Sequence, residues 1–263
     1  LALGSCFLIL SILFALWITR IPEIKEYLHL SEGDLGTALF FTPLGALISM
    51  LLSTKIISKL GEGRSSVIAL MFYSLAMCLP FLAHSFSLLC GTLFITGLTM
   101  GWVDISINAV ANTIEKQQKV KKMNTSHGFW SLGGIVGGLI GGLTASIFID
   151  GFYQMVAAAM VSIFILLIGV RPFLNAIQDE ENSTKGKRLV LPSGELWILA
   201  IIAFCILLSE GAVVDWSTVF LKETLGAKVA TAGFGYAIFS AAMTLGRFNG
   251  DYLTNRLGAK KLM

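Results

Sequence analysis

One carboxylate in this chain lies where a charge is unfavourable. Asp104 is near the middle of an apolar run from about residue 88 to 111, and Asn108 and Asn112 follow it at intervals of four residues. Because four residues make about one turn of an α-helix, the three polar side chains share one face. A carboxylate in hydrocarbon costs several kcal/mol, so Asp104 must face protein or water inside a helical bundle. Asp104 is therefore a candidate for binding a proton or a substrate.

The polar face around Asp104 has a second interpretation. Thr96 and Met100 extend it toward the other end of the helix, and amides commonly hydrogen-bond between membrane helices. Such packing would account for Asn112 and Asn108. It suits Asp104 less well, unless an arginine or histidine that the sequence does not identify lies beside it.

Two further acids lie in a later apolar run. Glu210 is followed by Gly211, where we expect the helix to loosen and to line a cavity, as the broken helices of transporters do. Asp215 is five residues further on, roughly 140° around the helix, so the two acids do not share a face. Asp215 is predicted to be solvated or to cap a helix end.

Two tryptophans, Trp17 and Trp216, each end an apolar run. They fit the aromatic belt that anchors helices at the membrane surface, and a pair that stacks on a substrate is the alternative. Arg20 is predicted to be an interfacial anchor. His127, at the start of another run, is predicted to be a hydrogen-bonding residue rather than a proton relay.

The composition is that of an integral membrane protein. Of 263 residues, 55% are hydrophobic and 13% charged, with a mean hydropathy of +0.79, whereas roughly 25% are charged in soluble domains. The four cysteines lack metal-ligand spacing, and the sequence contains no zinc-protease, serine-hydrolase or phosphate-loop motif. We therefore predict no enzyme, no cofactor, no metal site and no nucleic-acid partner.

Eight apolar segments are long enough to span a bilayer as helices. They cover approximately residues 1–19, 34–54, 66–83, 87–112, 127–149, 152–171, 195–218 and 229–250. Their short connections predict antiparallel neighbours and place Asp104 around mid-membrane. The first segment is too long for a signal peptide and lacks a cleavage site, so it is predicted to be a helix.

The basic residues divide unequally between the two ends of these spans. One end holds fifteen of the nineteen, namely Lys55, Lys59, Arg64, Lys116, Lys119, Lys121, Lys122, Arg171, Lys185, Lys187, Arg188, Arg247, Arg256, Lys260 and Lys261. By the positive-inside rule this end is cytoplasmic, and so is the N-terminus. The sequence thus predicts a multi-pass protein of the inner or plasma membrane.

An internal repeat divides the chain into two parts. Residues 58–61 and 255–258 match at an offset of 197, and residues 17–19 and 216–218 match at an offset of 199. Span seven therefore restarts span one, as in parallel six-helix repeats. We predict an N-terminal six-helix half at 1–171, a cytoplasmic linker at 172–194, and the first two helices of a second half at 195–263. The sequence begins without methionine, and we expect four further helices in the complete protein.

The glycines of span five form two overlapping GxxxG rows. One row is Gly133, Gly137 and Gly141, and the other is displaced from it by one residue. Such rows let helices pack closely.

Two six-helix halves with a basic turn after spans two and eight resemble the major facilitator superfamily of secondary transporters. Its turn motif, G-x-x-x-D-R/K-x-G-x-R/K-R/K, matches here at Lys59, Gly61 and Arg64, and again at Arg256, Gly258, Lys260 and Lys261. The motif's aspartate is replaced by Ser58 in the first copy and by Asn255 in the second. The resemblance implies an all-α membrane bundle, with these residues at the turns that control gating. It also implies that span five meets span eight across the halves, in a smooth contact that permits movement between them.

Several strings resemble the fucose:proton symporter branch and its uncharacterised bacterial inner-membrane relatives. These strings are Trp17 to Pro22, Asp104 ahead of Ile107-Asn108, His127 to Gly133, Glu210-Gly211 with Asp215-Trp216, and Gly246 to Phe248. In that branch the acid of span four binds the proton, so the resemblance implies this role for Asp104. Ile18 occupies the place of a second acid in that branch, so fucose itself is not predicted.

Together these features predict a monomeric secondary transporter that moves a small polar solute, such as a sugar, by alternating access with protons coupled through Asp104. The predicted substrate-binding residues are Asn108, Glu210, Trp17 and Trp216. The alternatives are an uncoupled facilitator or exporter of amphipathic compounds, and a transporter-like sensor that binds without transport.

Overall fold

A computed structural model describes residues 2–118, 123–147, 149–170, 194 and 196–258. The helices in this part of the chain are α1 (Ala2–Tyr27), α2 (Glu32–Leu60), α3 (Glu62–Ala76), α4 (Phe86–Gln118), α5 (Met123–Ser146), α6 (Gly151–Ile165), α7 (Leu196–Glu223) and α8 (Val229–Leu257). A 3₁₀ turn at Leu79–Leu82 follows α3, and a π-helical segment at Leu166–Val170 extends α6. The predicted linker, 172–194, lies outside the described residues except for Gly194.

Within the described residues, seven helical segments are long and apolar enough to cross a membrane, and they correspond to the first seven predicted spans. The eighth predicted span is also helical, at α8, but it is not among those seven. Glycine, serine and threonine occupy many positions of α8 where the other helices carry large apolar residues. The predicted helical membrane bundle is confirmed, although its last helix is less apolar than expected.

Local capping explains why the connections are so short. Ser31 begins α2 with a capping box, in which the Asp34 amide donates to Ser31 Oγ over 3.1 Å and the Ser31 amide donates to Asp34 Oδ2 over 3.2 Å. Asp150 begins α6 by accepting from the Phe152 amide over 2.8 Å. Asp150 is therefore a helix cap, and both caps satisfy amides that would otherwise lack partners.

The two glycine rows of α5 face different helices. Gly133 and Gly137 lie against α1, where a methyl group on Gly137 would be 2.6 Å from Ala15 Cβ and 2.7 Å from the Ile12 carbonyl oxygen. Gly138 lies against α8, where a methyl group would be 3.0 Å from the Ala237 nitrogen. Helix α5 therefore packs closely on α1 through one row and on α8 through the other, and the contact with α8 is the one that the resemblance implies.

Close contacts also join α2 to α4. Gly45 lies against the backbone of Phe94, Gly97 against that of Thr42 and Gly101 against that of Ala46. The pairs Thr42 with Gly97 and Ala46 with Gly101 advance together along the chain, so α2 and α4 run parallel. This contact fixes the helix that carries Asp104.

The internal repeat has a counterpart in the backbone. Gly61 ends α2 with φ 79°, and Gly258 follows α8 with φ 81°. Both values lie in the region that favours glycine, which explains why the turn motif requires it at this position. The two turns, 197 residues apart, therefore share this backbone conformation. We call the end of the bundle that contains these turns the basic end, and the end that contains residues 28–31 and 224–228 the opposite end.

Candidate functional site

A cavity of about 700 Å³ lies between α1 to α4 and α7. Most of its wall is apolar, with Phe14, Met77 and Met100 among the contributing side chains. Side chains that carry a polar group also line it, and they are Trp17, Thr42, Tyr73, Thr96, Glu210, Asp215 and Trp216. A largely apolar cavity of this size with a few polar groups is typical of a site for a small organic molecule. We call it the main cavity.

Trp17 and Trp216 both line the main cavity, one on each half of the internal repeat. Trp17 is only 6% exposed and packs edge-to-face on Phe81, with ring centroids 5.7 Å apart. Trp216 lies over Gly36, where a methyl group would be 3.4 Å from its Cζ2 atom. The buried position of Trp17 differs from that of a belt residue facing lipid headgroups, so the belt interpretation does not fit Trp17.

Glu210 and Asp215 also line the main cavity together, although the sequence places them on different faces of α7. The cavity extends around an arc of the helix that is wide enough to include both. Asp215 is therefore neither an exposed surface acid nor a cap. Helix α7 continues without interruption through Gly211, so the predicted loosening after Glu210 does not occur in this conformation.

Asp104 does not line the main cavity but lies one turn beyond Met100, which does. Asn108 Nδ2 donates to Asp104 Oδ1 over 3.0 Å and to the Asp104 carbonyl oxygen over 2.9 Å. His127 of α5 lies close enough to interact electrostatically with the Asp104 carboxylate. The imidazole also packs on Phe7, with centroids 5.4 Å apart. The structure thus supplies the histidine neighbour that the sequence could not identify.

The depth of Asp104 differs from the mid-membrane position expected from the sequence. Trp102 Nε1 donates to Ser65 Oγ over 2.9 Å, and Ser106 Oγ lies 3.0 Å from the same atom. Ser65 belongs to the first turn of α3, which starts at the basic end. Because Trp102 and Ser106 flank Asp104 in α4, Asp104 lies nearer the basic end than the sequence predicted. Asn112, one turn past Asn108, is exposed. The polar face of α4 therefore leads from the main cavity toward the basic end.

The turn-motif residues lie at the basic end and away from the main cavity. Lys59, Arg64 and Arg256 are exposed. Beside Gly61, Glu62 accepts from Thr113 Oγ1 over 2.6 Å and so ties the start of α3 to α4. Lys260 lies outside the described residues.

A polar cluster at the opposite end was not foreseen from the sequence. Lys25, 8% exposed, pairs with Glu223 of α7 and lies 3.1 Å from Glu32. Lys222 Nζ lies 2.6 Å from Glu26. Nearer the cavity, Thr218 Oγ1 donates to the Ile18 carbonyl oxygen over 3.2 Å. The contacts of Glu223, Lys222 and Thr218 join α7 to α1. They lie between the level of the two tryptophans and the opposite end.

Arg20 has a different environment from the predicted interfacial anchor. It is 3% exposed, and its Nε donates to Gln154 Oε1 over 2.9 Å while its Nη2 donates to the Ile149 carbonyl oxygen over 2.8 Å. Glu23 accepts from Nη1 over 2.7 Å. Arg20 therefore joins α1 to the connection between α5 and α6, which is a structural role within the first half.

Comparison with known proteins places the chain in a family. Residues 2–263 match the model of the Major Facilitator Superfamily. An uncharacterised MFS-type transporter of Yersinia pestis is 33% identical over 98% of this chain and 66% of its own length. An uncharacterised transporter of Sinorhizobium fredii is 32% identical over 96% of this chain and 67% of its own length. The chain thus spans about two thirds of the length of these relatives.

A solved structure shows the same fold. The nucleoside transporter NupG superposes with a TM-score of 0.66 at 14% identity, covering 98% of this chain and 69% of NupG. At that identity the likeness concerns the fold alone. Members of the matched family are transporters rather than enzymes, and the described helices are those of a multi-pass membrane protein. The chain therefore belongs to the major facilitator superfamily.

Proposed function

We propose that this protein is a secondary transporter that moves a small polar solute across the inner membrane by alternating access. The observation that carries the proposal is the main cavity, which is bounded by helices of both repeat halves and has one tryptophan from each. A solute bound between the halves is released to one side when they rock about it. The predicted division into a six-helix half at 1–171, a linker at 172–194 and a second half from 195 is part of this proposal.

Proton coupling is assigned to Asp104. Its carboxylate accepts from Asn108 and lies near His127, one helical turn from the wall of the main cavity. When the carboxylate takes up a proton, the α4 helix loses a charge that both neighbours stabilise. A proton that binds with different affinity in the two conformations shifts the balance between them. Asp104 thereby links proton binding to reorientation without touching the solute.

The cavity wall supports a solute that combines polar groups with an apolar or ring-shaped surface. The rings of Trp17 and Trp216 offer stacking surfaces, as in sugar or nucleobase binding, while Glu210 and Asp215 offer hydrogen-bond acceptors. Asn108 was predicted to bind substrate, but its amide is engaged with Asp104, so we assign it to the proton site. The largely apolar remainder of the wall supports the second candidate function, an uncoupled facilitator or exporter of amphipathic compounds.

The orientation of the protein follows from its charges. With the basic end in the cytoplasm, the contacts of Lys25 with Glu223 and Lys222 with Glu26 lie on the outer side. In the described conformation, these contacts then join α1 to α7 between the main cavity and the outer surface. Outward opening requires these contacts to separate.

The proposal is tested by reconstituting the full-length protein in proteoliposomes and screening sugars, nucleosides and small amines for uptake driven by a pH gradient. We expect at least one solute to accumulate, and we expect Trp216→Ala to reduce its affinity by about tenfold or more, as removal of a central aromatic contact typically does. The exposed Trp197, at the start of α7 and outside the main cavity, gives the control Trp197→Ala. Binding of a solute without flux would instead indicate a sensor.

A further inference from the structure

A second, smaller cavity lies where four helices meet. It has a volume of about 70 Å³ and is bounded by α1, α5, α7 and α8. Since liquid water takes about 30 Å³ per molecule, the space holds roughly two waters or one small ion with a water. Glu210, Phe14 and Val214 line both cavities, so the small cavity adjoins the main one.

Five residues in the wall of the small cavity carry side-chain oxygen atoms. Ser11, Ser131, Tyr236 and Ser240 contribute hydroxyl groups, and Glu210 contributes a carboxylate. A methyl group on Gly134 would lie 2.7 Å from Ser240 Oγ and 3.5 Å from the Tyr236 hydroxyl oxygen. The absent side chain of Gly134 therefore leaves room beside two of these oxygens.

One of these hydroxyl groups is unsatisfied. Ser11 is fully buried, and its Oγ has no hydrogen-bond partner among the described residues. A buried polar group without a partner costs about 1–3 kcal/mol. Such a cost in the middle of α1 calls for an occupant that interacts with the oxygen.

The position of the small cavity suits an ion that acts on movement between the halves. Ser11 and Gly134 lie about midway along α1 and α5 of the first half, and Glu210 and Ser240 lie about midway along α7 and α8 of the second. A cation bound here bridges the two halves near the middle of the bundle. Its positive charge also complements the carboxylate of Glu210.

We infer that the small cavity is a binding site for a small monovalent cation of the Na⁺ class, held by the Glu210 carboxylate and the hydroxyl oxygens of Ser11, Ser131 and Ser240. Oxygen ligands are those that hard cations prefer. The anionic carboxylate favours the smaller, more strongly attracted Na⁺ or Li⁺ over K⁺, and the small volume excludes a bulky organic cation. The site is separate from Asp104, and only its use in coupling, not its existence, rests on the proposed transport function.

Binding is measured on the purified full-length protein without any substrate. Thermal unfolding and tryptophan fluorescence are followed as NaCl replaces choline chloride at constant ionic strength, and LiCl and KCl are compared. We expect Na⁺ and Li⁺ to raise the unfolding temperature with saturation, and K⁺ to have little effect, because only a ligand of the folded state stabilises it. Trp130 lines the small cavity, so Trp130→Phe should lose the fluorescence response and keep the thermal shift.

Variants separate this site from a general salt effect. We expect Glu210→Gln and Gly134→Ala to abolish the Na⁺ response, and Ser11→Ala to raise the half-saturating Na⁺ concentration by about fivefold to tenfold. Ser74→Ala is the matched control, because Ser74 is equally buried but its hydroxyl donates to the Leu70 carbonyl oxygen over 2.8 Å. Equal responses to Na⁺ and K⁺, no response, or an unchanged response in Glu210→Gln would overturn the inference. Because no flux is measured, failure here leaves the proposed transport function standing.

Discussion

The two sides of α5 show how one helix serves contacts of different kinds. On the side that faces α1, Gly137 allows α5 and α1 to pack closely within the first half. Arg20 of α1 adds a hydrogen bond to α6 in the same half. On the side that faces α8, Gly138 allows α5 and α8 to pack closely across the two halves. Lys25 of α1 and Glu223 of α7 form a further contact between the halves. In alternating access the contacts within the first half must persist, while the contacts between the halves must rearrange. Substitutions in the two sets should therefore affect different properties.

The largest effect is expected on the side that faces α1. A Gly137→Leu substitution places its first carbon 2.6 Å from Ala15 Cβ and 2.7 Å from the Ile12 carbonyl oxygen, so the helices must separate. Overpacking of this kind costs about 1–3 kcal/mol or more. We expect a marked fall in the yield of folded protein and in the unfolding temperature in detergent.

The control for this substitution is Gly91→Leu in α4, where no other atom lies within 4 Å of an added methyl group. Its yield and unfolding temperature should match the wild type. If Gly137→Leu were as stable as Gly91→Leu, the contact between α1 and α5 would not be a fixed one.

A smaller effect, on conformation rather than folding, is expected at the opposite end. Glu223→Gln removes one of the two carboxylates that pair with buried Lys25 within the described residues, and Glu32 remains as the other. We expect the outward-open population to rise by about tenfold, since losing a partner to a charged group changes the balance by this order. The outward-open population is measured by the rate at which an externally added thiol reagent labels Thr42→Cys, because Thr42 lines the main cavity. The four native cysteines are first replaced.

Charge exchange provides the control for that experiment. The double variant Lys25→Glu with Glu223→Lys restores opposite charges and should return the labelling rate toward the wild-type value. An unchanged rate in Glu223→Gln would show that the contact does not hold the halves together.

The smallest effect is expected on the side of α5 that faces α8. Gly138→Ala brings a methyl group to 3.0 Å from the Ala237 nitrogen, a contact that a slight shift of α8 relieves. We expect turnover to slow by about twofold to fivefold while the unfolding temperature stays near that of the wild type. A fall in stability comparable to that of Gly137→Leu would remove the distinction between the two rows.

Much of the fold could be predicted from the sequence because it depends on local patterns. Apolar segments predicted the helices, and spacing by four placed Asp104 and Asn108 on one helix face, where they form a hydrogen bond. The two glycine rows indicated close packing because only glycine allows it at both faces. These features need only helical periodicity and the size of side chains.

The candidate site depends more on contacts between distant segments. His127 approaches Asp104 from another helix, and Lys25 meets Glu223 at a separation of 198 residues. Neither pair has a local signature. The placement of Asp215 in the main cavity was not predicted because periodicity gives the direction of a side chain but not the width of the cavity beside it. The burial of Arg20 likewise depends on Gln154 of α6.

The central proposal, that Asp104 couples protons to solute movement, is tested most directly by measuring proton and solute fluxes together. In proteoliposomes loaded with a pH-sensitive dye, addition of the transported solute should move protons with it in the wild type. Asp104→Asn should abolish that proton movement and accumulation against a gradient, while exchange of labelled for unlabelled solute continues. If Asp104→Asn moved protons and solute in the wild-type ratio, the assignment of coupling to Asp104 would be wrong.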